Sequence, residues 1–165
     1  SKPENAPESL TLKDLREHEK HRLRLQWTNT PLEMLKLKTE ISWLCNHYPT
    51  SRERHSGLLI YQDAAFSFRK PDIAIHLRIA YFDTDRYDER LYAYEDDVYY
   101  AFTIGSYYYK GVRGYLVLRY KCPFFNAWLR LSQTYYINRS SISSGLNYID
   151  KPHKTELKLQ FQFSL

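Results

Sequence analysis

The sequence predicts an all-β protein of antiparallel strands with the dimensions of a transmembrane β-barrel. Three observations carry that expectation. From His21 onward, apolar and polar residues alternate with a period of two, in seven runs of about ten residues. The connections between the runs go short, long, short, very long, short, long. The charges within the runs are nearly all basic and fall on the polar side of the alternation.

Residues 1–20 read as a polar lead, in which Leu10, Leu12 and Leu15 sit near one face of a helix too short to be stable alone. The barrel region spans 21–165. HRLRLQWT (21–28) sets Leu23, Leu25 and Trp27 against Arg22, Arg24 and Gln26, and NTPLE (29–33) is a turn. MLKLKTEISWL (34–44) sets Leu35, Leu37, Ile41 and Trp43 against Lys36, Lys38, Glu40 and Ser42. A polar loop (46–55) leads to GLLIYQDAAFSF (57–68), which alternates less cleanly. After RKPD (69–72), the run 73–82 sets Ile73, Ile75, Leu77, Ile79 and Tyr81 against Ala74, His76, Arg78 and Ala80. Residues 83–113 break the rhythm and open with an acidic cluster. Alternation resumes in 114–121, turns at CPFFN (122–126), and continues through 127–136. A second polar loop (137–153) precedes 155–165, where Leu157, Leu159, Phe161, Phe163 and Leu165 oppose Glu156, Lys158, Gln160, Gln162 and Ser164.

Strands of this length suit a bilayer, which about 9–11 tilted residues cross. Short turns on one side and long loops on the other are the habit of outer-membrane barrels. Counting back from a last strand that ends at the periplasm, all three short turns fall on the periplasmic side if 83–113 is one extracellular excursion. Single-chain bacterial barrels have even strand numbers of at least eight. Seven runs are therefore expected to be part of a larger barrel, the alternative being an eighth strand from residues 1–20. The opening SKPENAP lacks a signal-peptide pattern, so the chain reads as mature or as the C-terminal piece of a longer one.

With the apolar side toward lipid, the lumen receives Arg22, Arg24, Lys36, Lys38, Arg78, Arg119, Lys121, Arg130 and Lys158. A Lys or Arg on the lipid side would cost about 2–4 kcal/mol at the midplane. The excursion has the opposite sign, with Asp83, Asp85, Asp88, Glu89, Glu95, Asp96 and Asp97. It is expected to cap or plug the basic lumen, the alternative being a solvated surface loop. Trp43, Tyr81, Tyr120 and Tyr135 near strand ends suit an aromatic girdle. Tyr107, Tyr108 and Tyr109 are expected to pack within the excursion.

Composition sets outer limits. The 165 residues suffice for one domain, and 43% hydrophobic content with five Gly and seven Pro excludes general disorder and collagen. No stretch of eighteen uncharged apolar residues is present, which excludes a membrane-spanning helix from the sequence. Cys45 and Cys122 are too few for a disulfide framework. They read as unpaired thiols on separate strands, a single bridge being the alternative. The net charge of +5 brings nucleic acid or an anionic surface into consideration.

No chemistry-bearing motif emerges. The six His form no metal-ligand spacing, and Asp83, Asp85 and Asp88 lack the glycine and terminal Glu of a calcium loop. There is no G-x-S-x-G, P-loop or G-x-G-x-x-G. No catalytic, cofactor-binding or metal-binding residues are expected, and the chain is not read as an enzyme.

Several segments carry a resemblance. LLIYQD (58–63), FDTDRYDERLYAYEDDVYYAF (82–102), LRYK (118–121), WLRLSQTYY (128–136), SSGLNYID (143–150) and TELKLQFQFSL (155–165) cover about the last two thirds of the chain. Together they resemble the C-terminal region of outer-membrane barrel proteins of Bacteroidota that carry an N-terminal ComEA-like helix-hairpin-helix domain. The helix-hairpin-helix portion is absent here, and Leu165 stands where such barrels commonly end in an aromatic residue. The resemblance implies an outer-membrane location and transfers no catalytic residue.

The expected function is therefore that of a structural outer-membrane barrel component with a plugged lumen. Its partners would be outer-membrane lipid, the rest of a larger barrel or other subunits, and the barrel-insertion machinery. That machinery would read Leu157, Leu159, Phe161, Phe163 and Leu165 as the C-terminal folding signal. A porin-like channel and a soluble basic nucleic-acid-binding β domain are the alternatives. Nucleic acid is disfavoured because the basic residues share their face with few aromatics.

Overall fold

In the computed structural model, residues 19–48, 52–142 and 148–163 are described. Nine strands account for nearly all their regular structure. They are β1 (Glu19–Leu32), β2 (Leu35–Tyr48), β3 (Glu53–Arg69), β4 (Asp72–Thr84), β5 (Leu91–Glu95), β6 (Thr103–Tyr107), β7 (Lys110–Lys121), β8 (Phe125–Tyr136) and β9 (His153–Phe163). A single 3-10 turn, Tyr87–Glu89, precedes β5. Seven strands form one antiparallel sheet in the order β1-β2-β3-β4-β7-β8-β9, and β5 and β6 form a separate hairpin. Among the described residues the large sheet is open: β1 and β9 each leave one edge unpaired.

The seven expected runs are the seven strands of this sheet, each neighbouring the next. The strands are longer than the alternation implied. Glu19 and Lys20, expected in the polar lead, begin β1, and the first turn shrinks to Glu33 and Met34. Asp83 belongs to β4 rather than to the excursion, and Lys110–Arg113 belong to β7, because cross-strand pairing continues to Asp83 opposite Lys110. The excursion is thus residues 85–109. The expected lead at 1–18 and the terminal Leu165 lie outside the described residues.

Register fixes two faces. One cross-strand row runs Lys38–Asp63–Arg78–Tyr115–Ser132–Glu156 on one face. The neighbouring row, one residue away, runs Leu37–Ala64–Leu77–Leu116–Leu131–Leu157 on the other. A one-residue slip anywhere would exchange the faces. The faces are inverted relative to a protein that buries its oily side. Ile79, Leu159 and Leu77 are 63%, 60% and 40% exposed, whereas Arg130, Ser132 and Glu40 are 1–3% exposed.

The polar face is buried because the β5–β6 hairpin lies on it. This also explains why the third run alternates poorly. Leu59 and Tyr61 of β3, with Leu44 of β2 and Phe82 of β4, point to the polar face, where Leu91, Ala93 and Tyr107 of the hairpin region cover them. Phe82 meets the rings of Tyr107 and Tyr136 edge-on at 5.6 and 5.8 Å. This satellite core sits toward the long-loop end of the sheet. Gly111 of β7 is required there: a Cβ would strike the Tyr135 carbonyl oxygen and come 2.7 Å from the Phe82 ring. Tyr108 and Tyr109 pack against the same cluster, so the trio expected to pack within the excursion packs largely on the wall, against Phe82 and Tyr136.

Candidate functional site

The site with the most built-in chemistry is the contact between the hairpin tip and the polar face. Its sequence, Glu95-Asp96-Asp97, ends β5 and starts the turn toward β6, so three carboxylates leave the hairpin together. Antiparallel pairing brings cations from four strands to meet them: Arg78 on β4, Arg113 on β7, Arg130 on β8 and Lys158 on β9.

Glu95 is the centre. Arg113 donates to both of its oxygens, Nε to Oε1 at 2.7 Å and Nη2 to Oε2 at 2.9 Å. Arg130 Nη2 donates to Oε2 at 2.5 Å, and the Tyr107 hydroxyl donates to Oε1 at 2.8 Å. Bidentate guanidinium contacts of this kind are roughly twice as strong as neutral hydrogen bonds. Asp97 accepts from Lys158 Nζ at 2.6 Å and from the Thr103 hydroxyl, with Arg130 Nε 3.7 Å away. Asp96 lies 2.9 Å from His76 Nδ1, and its carbonyl accepts from Arg130 Nε at 3.0 Å. Arg78 holds the hairpin backbone directly. Its Nη1 donates to the Tyr94 carbonyl at 2.6 Å while Nε and Nη2 grip Asp63, and its guanidinium lies 3.8 Å from the centroid of the Tyr61 ring.

These contacts set the charge state of the tip. Burial opposes ionisation of Glu95, but Arg113, Tyr107 and Arg130 outweigh it and hold its carboxyl below the usual carboxylate range. His76 is the leading cause that lowers Asp96, against an opposing desolvation. For Asp97, burial is again the first effect and is overcome by Lys158, Thr103, the Val98 N–H and Arg130. Burying these charges is tolerable only because nearly every lone pair has a donor.

The acidic residues expected to act together separate into groups. Only Glu95, Asp96 and Asp97 meet the basic face. Asp83 is on the apolar side, 2.8 Å from Lys110 Nζ. Asp85 accepts from the Ser56 N–H at 2.6 Å, and Asp88 is exposed. Glu89 is fully buried and accepts from Asn46 Nδ2 at 3.0 Å, fastening the 3-10 turn to β2.

All nine basic residues expected on the inner side do share the hairpin's face. Arg78, Arg130 and Lys158 engage the hairpin. Arg22, Arg24, Lys36 and Lys38 lie beyond it on β1 and β2, and Arg119 and Lys121 lie near the short-turn end, with Arg119 3.2 Å from Asp72. Sequence reasoning missed Arg113, His76, Asp63, Tyr107 and Tyr115. Arg113 falls in the stretch 83–113 that the sequence reads as the excursion. The available signal was Lys110, Val112 and Gly114, whose spacing of two continues the alternation of 114–121 backward.

Between the free edge of β6 and strands β7 to β9 lies an open cavity of about 740 Å3, lined in part by Thr103–Ser106, Arg113, Tyr136, Lys154 and Glu156. Among the described residues, no three His, Cys, Asp or Glu side chains are grouped to hold a metal ion, and Cys45 and Cys122 are free. The apolar ends of the expected folding signal, Leu157, Leu159, Phe161 and Phe163, stand exposed along β9.

Comparison with known proteins adds no relative. No family model matches the chain, and no curated protein or solved structure is detectably similar to it.

Proposed function

We propose that this sheet is a section of a bacterial outer-membrane β-barrel and that the β5–β6 hairpin is its lumen plug. The inverted polarity of the sheet carries the reading. An apolar face this large, left in water, would be an aggregation surface. Against acyl chains it is the favourable side, and the buried charges belong to the interior.

The dimensions support it. Five successive outer rows run from the Tyr81–Val112–Tyr135 row to the Ile73–Tyr120–Ala127–Phe161 row, both included. At about 3.3 Å per residue that is roughly 26 Å along a strand, or roughly 20 Å of height at the usual tilt, most of the roughly 25 Å of a barrel's apolar band. Trp43, Tyr81 and Tyr135 lie toward one end of that band and Tyr120 at the other, which suits interfacial girdles. The polar outer side chains help themselves: Thr39 donates to Gln62 at 2.5 Å and Gln133 to Thr155 at 3.2 Å. Such pairing is what a water-free surroundings demands.

The unpaired edges make this a part of a larger wall. In seven antiparallel strands, β1 and β9 run the same way. An all-antiparallel closure therefore needs an odd number of further strands. A second copy in the same orientation adds seven strands, an odd number, but joins β9 to β1 in parallel and so does not close the wall antiparallel.

Fractionation and gel migration test the reading. The protein should partition with outer membranes, require detergent, and migrate faster unheated than boiled. A monomer that stays soluble in buffer at high concentration would refute it.

A further inference from the structure

Resting on that reading, we infer that the lumen beside the plug carries an anion path along β1 and β2. The observation is a column of cations that the hairpin leaves uncovered. On the inner face, Lys20 lies opposite Asn46, Arg22 opposite Leu44, Arg24 opposite Ser42, Gln26 opposite Glu40, and Thr28 opposite Lys38; Lys36 follows one row further. Five of these six successive rows therefore hold a Lys or Arg. The rows are about 7 Å apart along the strands, so the column is roughly 33 Å long, or roughly 25 Å of height at the usual tilt, most of the hydrocarbon core of a bilayer.

Charge balance separates this column from the rest of the face. Under the hairpin, Arg78, Arg113, Arg130 and Lys158 each have a carboxylate partner. In the column the one carboxylate is Glu40. It is already bonded to the Tyr61 hydroxyl at 2.6 Å and the Ser42 hydroxyl at 3.0 Å, and it is shared between Arg24 at 3.3 Å and Lys38 at 3.8 Å. Lys20, Arg22 and Lys36 form no ion pair with any described residue, and Arg22 and Lys36 are exposed on this face. Within the two groups, Lys20–Arg22–Arg24 and Lys38–Lys36, neighbouring rows sit within about one Debye length at physiological salt, so their potentials overlap into two positive stretches separated at the Glu40 row. Basic side chains lining a pore select anions in this way. Binding is spread over many equivalent steps rather than concentrated at one, which lets an ion leave as readily as it enters.

The test is ion selectivity of the full-length protein in planar bilayers, with potassium chloride and then potassium phosphate as probes. Under a salt gradient the reversal potential should report anion preference. In R22E/K36E, which removes no ion pair among the described residues, the anion-over-cation permeability ratio should fall roughly tenfold. R22Q/K36Q should give a smaller fall. Heat-modifiable migration of both variants checks that the barrel is intact. A cation-selective or unselective parent, or an unchanged ratio in R22E/K36E, overturns the inference. So does an inserted, heat-modifiable barrel that passes no current, which would mean that an acidic segment covers the column. Failure to enter the bilayer, with solubility in buffer, instead overturns the barrel reading beneath it.

Discussion

Arg130 of β8 and Glu95 of the hairpin meet at 2.5 Å with side chains 1% and 0% exposed. Neither residue is within a strand's length of the other in sequence, and neither charge would survive in that place alone. The pair is therefore a joint between two separately folded pieces, the wall and the hairpin.

Arg130→Met removes a cation that reaches Glu95, Asp97 and the Asp96 carbonyl together. Removing one partner of a buried pair costs about 3–5 kcal/mol, since the other charge is left stranded. Limited proteolysis should then cut within residues 91–107 faster than in the parent. The double variant Glu95→Gln with Arg130→Met should recover part of the loss. Purely additive effects would show that the two residues are not coupled.

Acid should release the hairpin. Glu95, Asp96 and Asp97 all have carboxyls lowered in the folded state. Groups lowered by folding add stability above the unfolded carboxylate range of about 4, and that contribution fades as pH falls through their lower native values. Protease protection of the hairpin should hold from neutrality down to about pH 4 and be lost below it. Release at about pH 6, where ordinary carboxylates are still ionised, would contradict the assignment.

Gly105→Ala should loosen the same joint without altering any charge. A Cβ at Gly105 would run into the Glu95 carboxylate and sit 3.0 Å from the Tyr107 ring. Overpacking of this kind costs about 1–3 kcal/mol. The Tyr107 fluorescence environment and proteolysis at 91–107 should both change, while the strands of the wall remain unaffected. An unchanged hairpin would mean that Glu95 has room to move.

Depth should govern the cost of charge on the outer face. Leu77 lies in a central row and Tyr120 in a terminal one. Leu77→Arg should destabilise the folded barrel in lipid by about 2–4 kcal/mol, and Tyr120→Arg by about 0–1. Urea titration in lipid vesicles measures both. Equal costs at the two depths would argue that this face does not meet a bilayer.

The sequence by itself determined the wall. A period of two, held over seven runs, assigned Leu157, Leu159, Phe161 and Phe163 to one face and Arg78, Arg130 and Lys158 to the other, because each strand alternates its side chains whatever its neighbours do. Strand order was legible too, since short connections join adjacent antiparallel strands. Only the tertiary structure decided which acids pair with which cations. Glu95 meets Arg113 and Arg130, eighteen and thirty-five positions away, while Asp88 in the same acidic stretch does not, and no local rule separates the two. Where the hairpin rests, it also suspends the alternation, putting Leu59 and Phe82 on the charged side. That placement follows from packing between distant elements, and local periodicity contains no information about it.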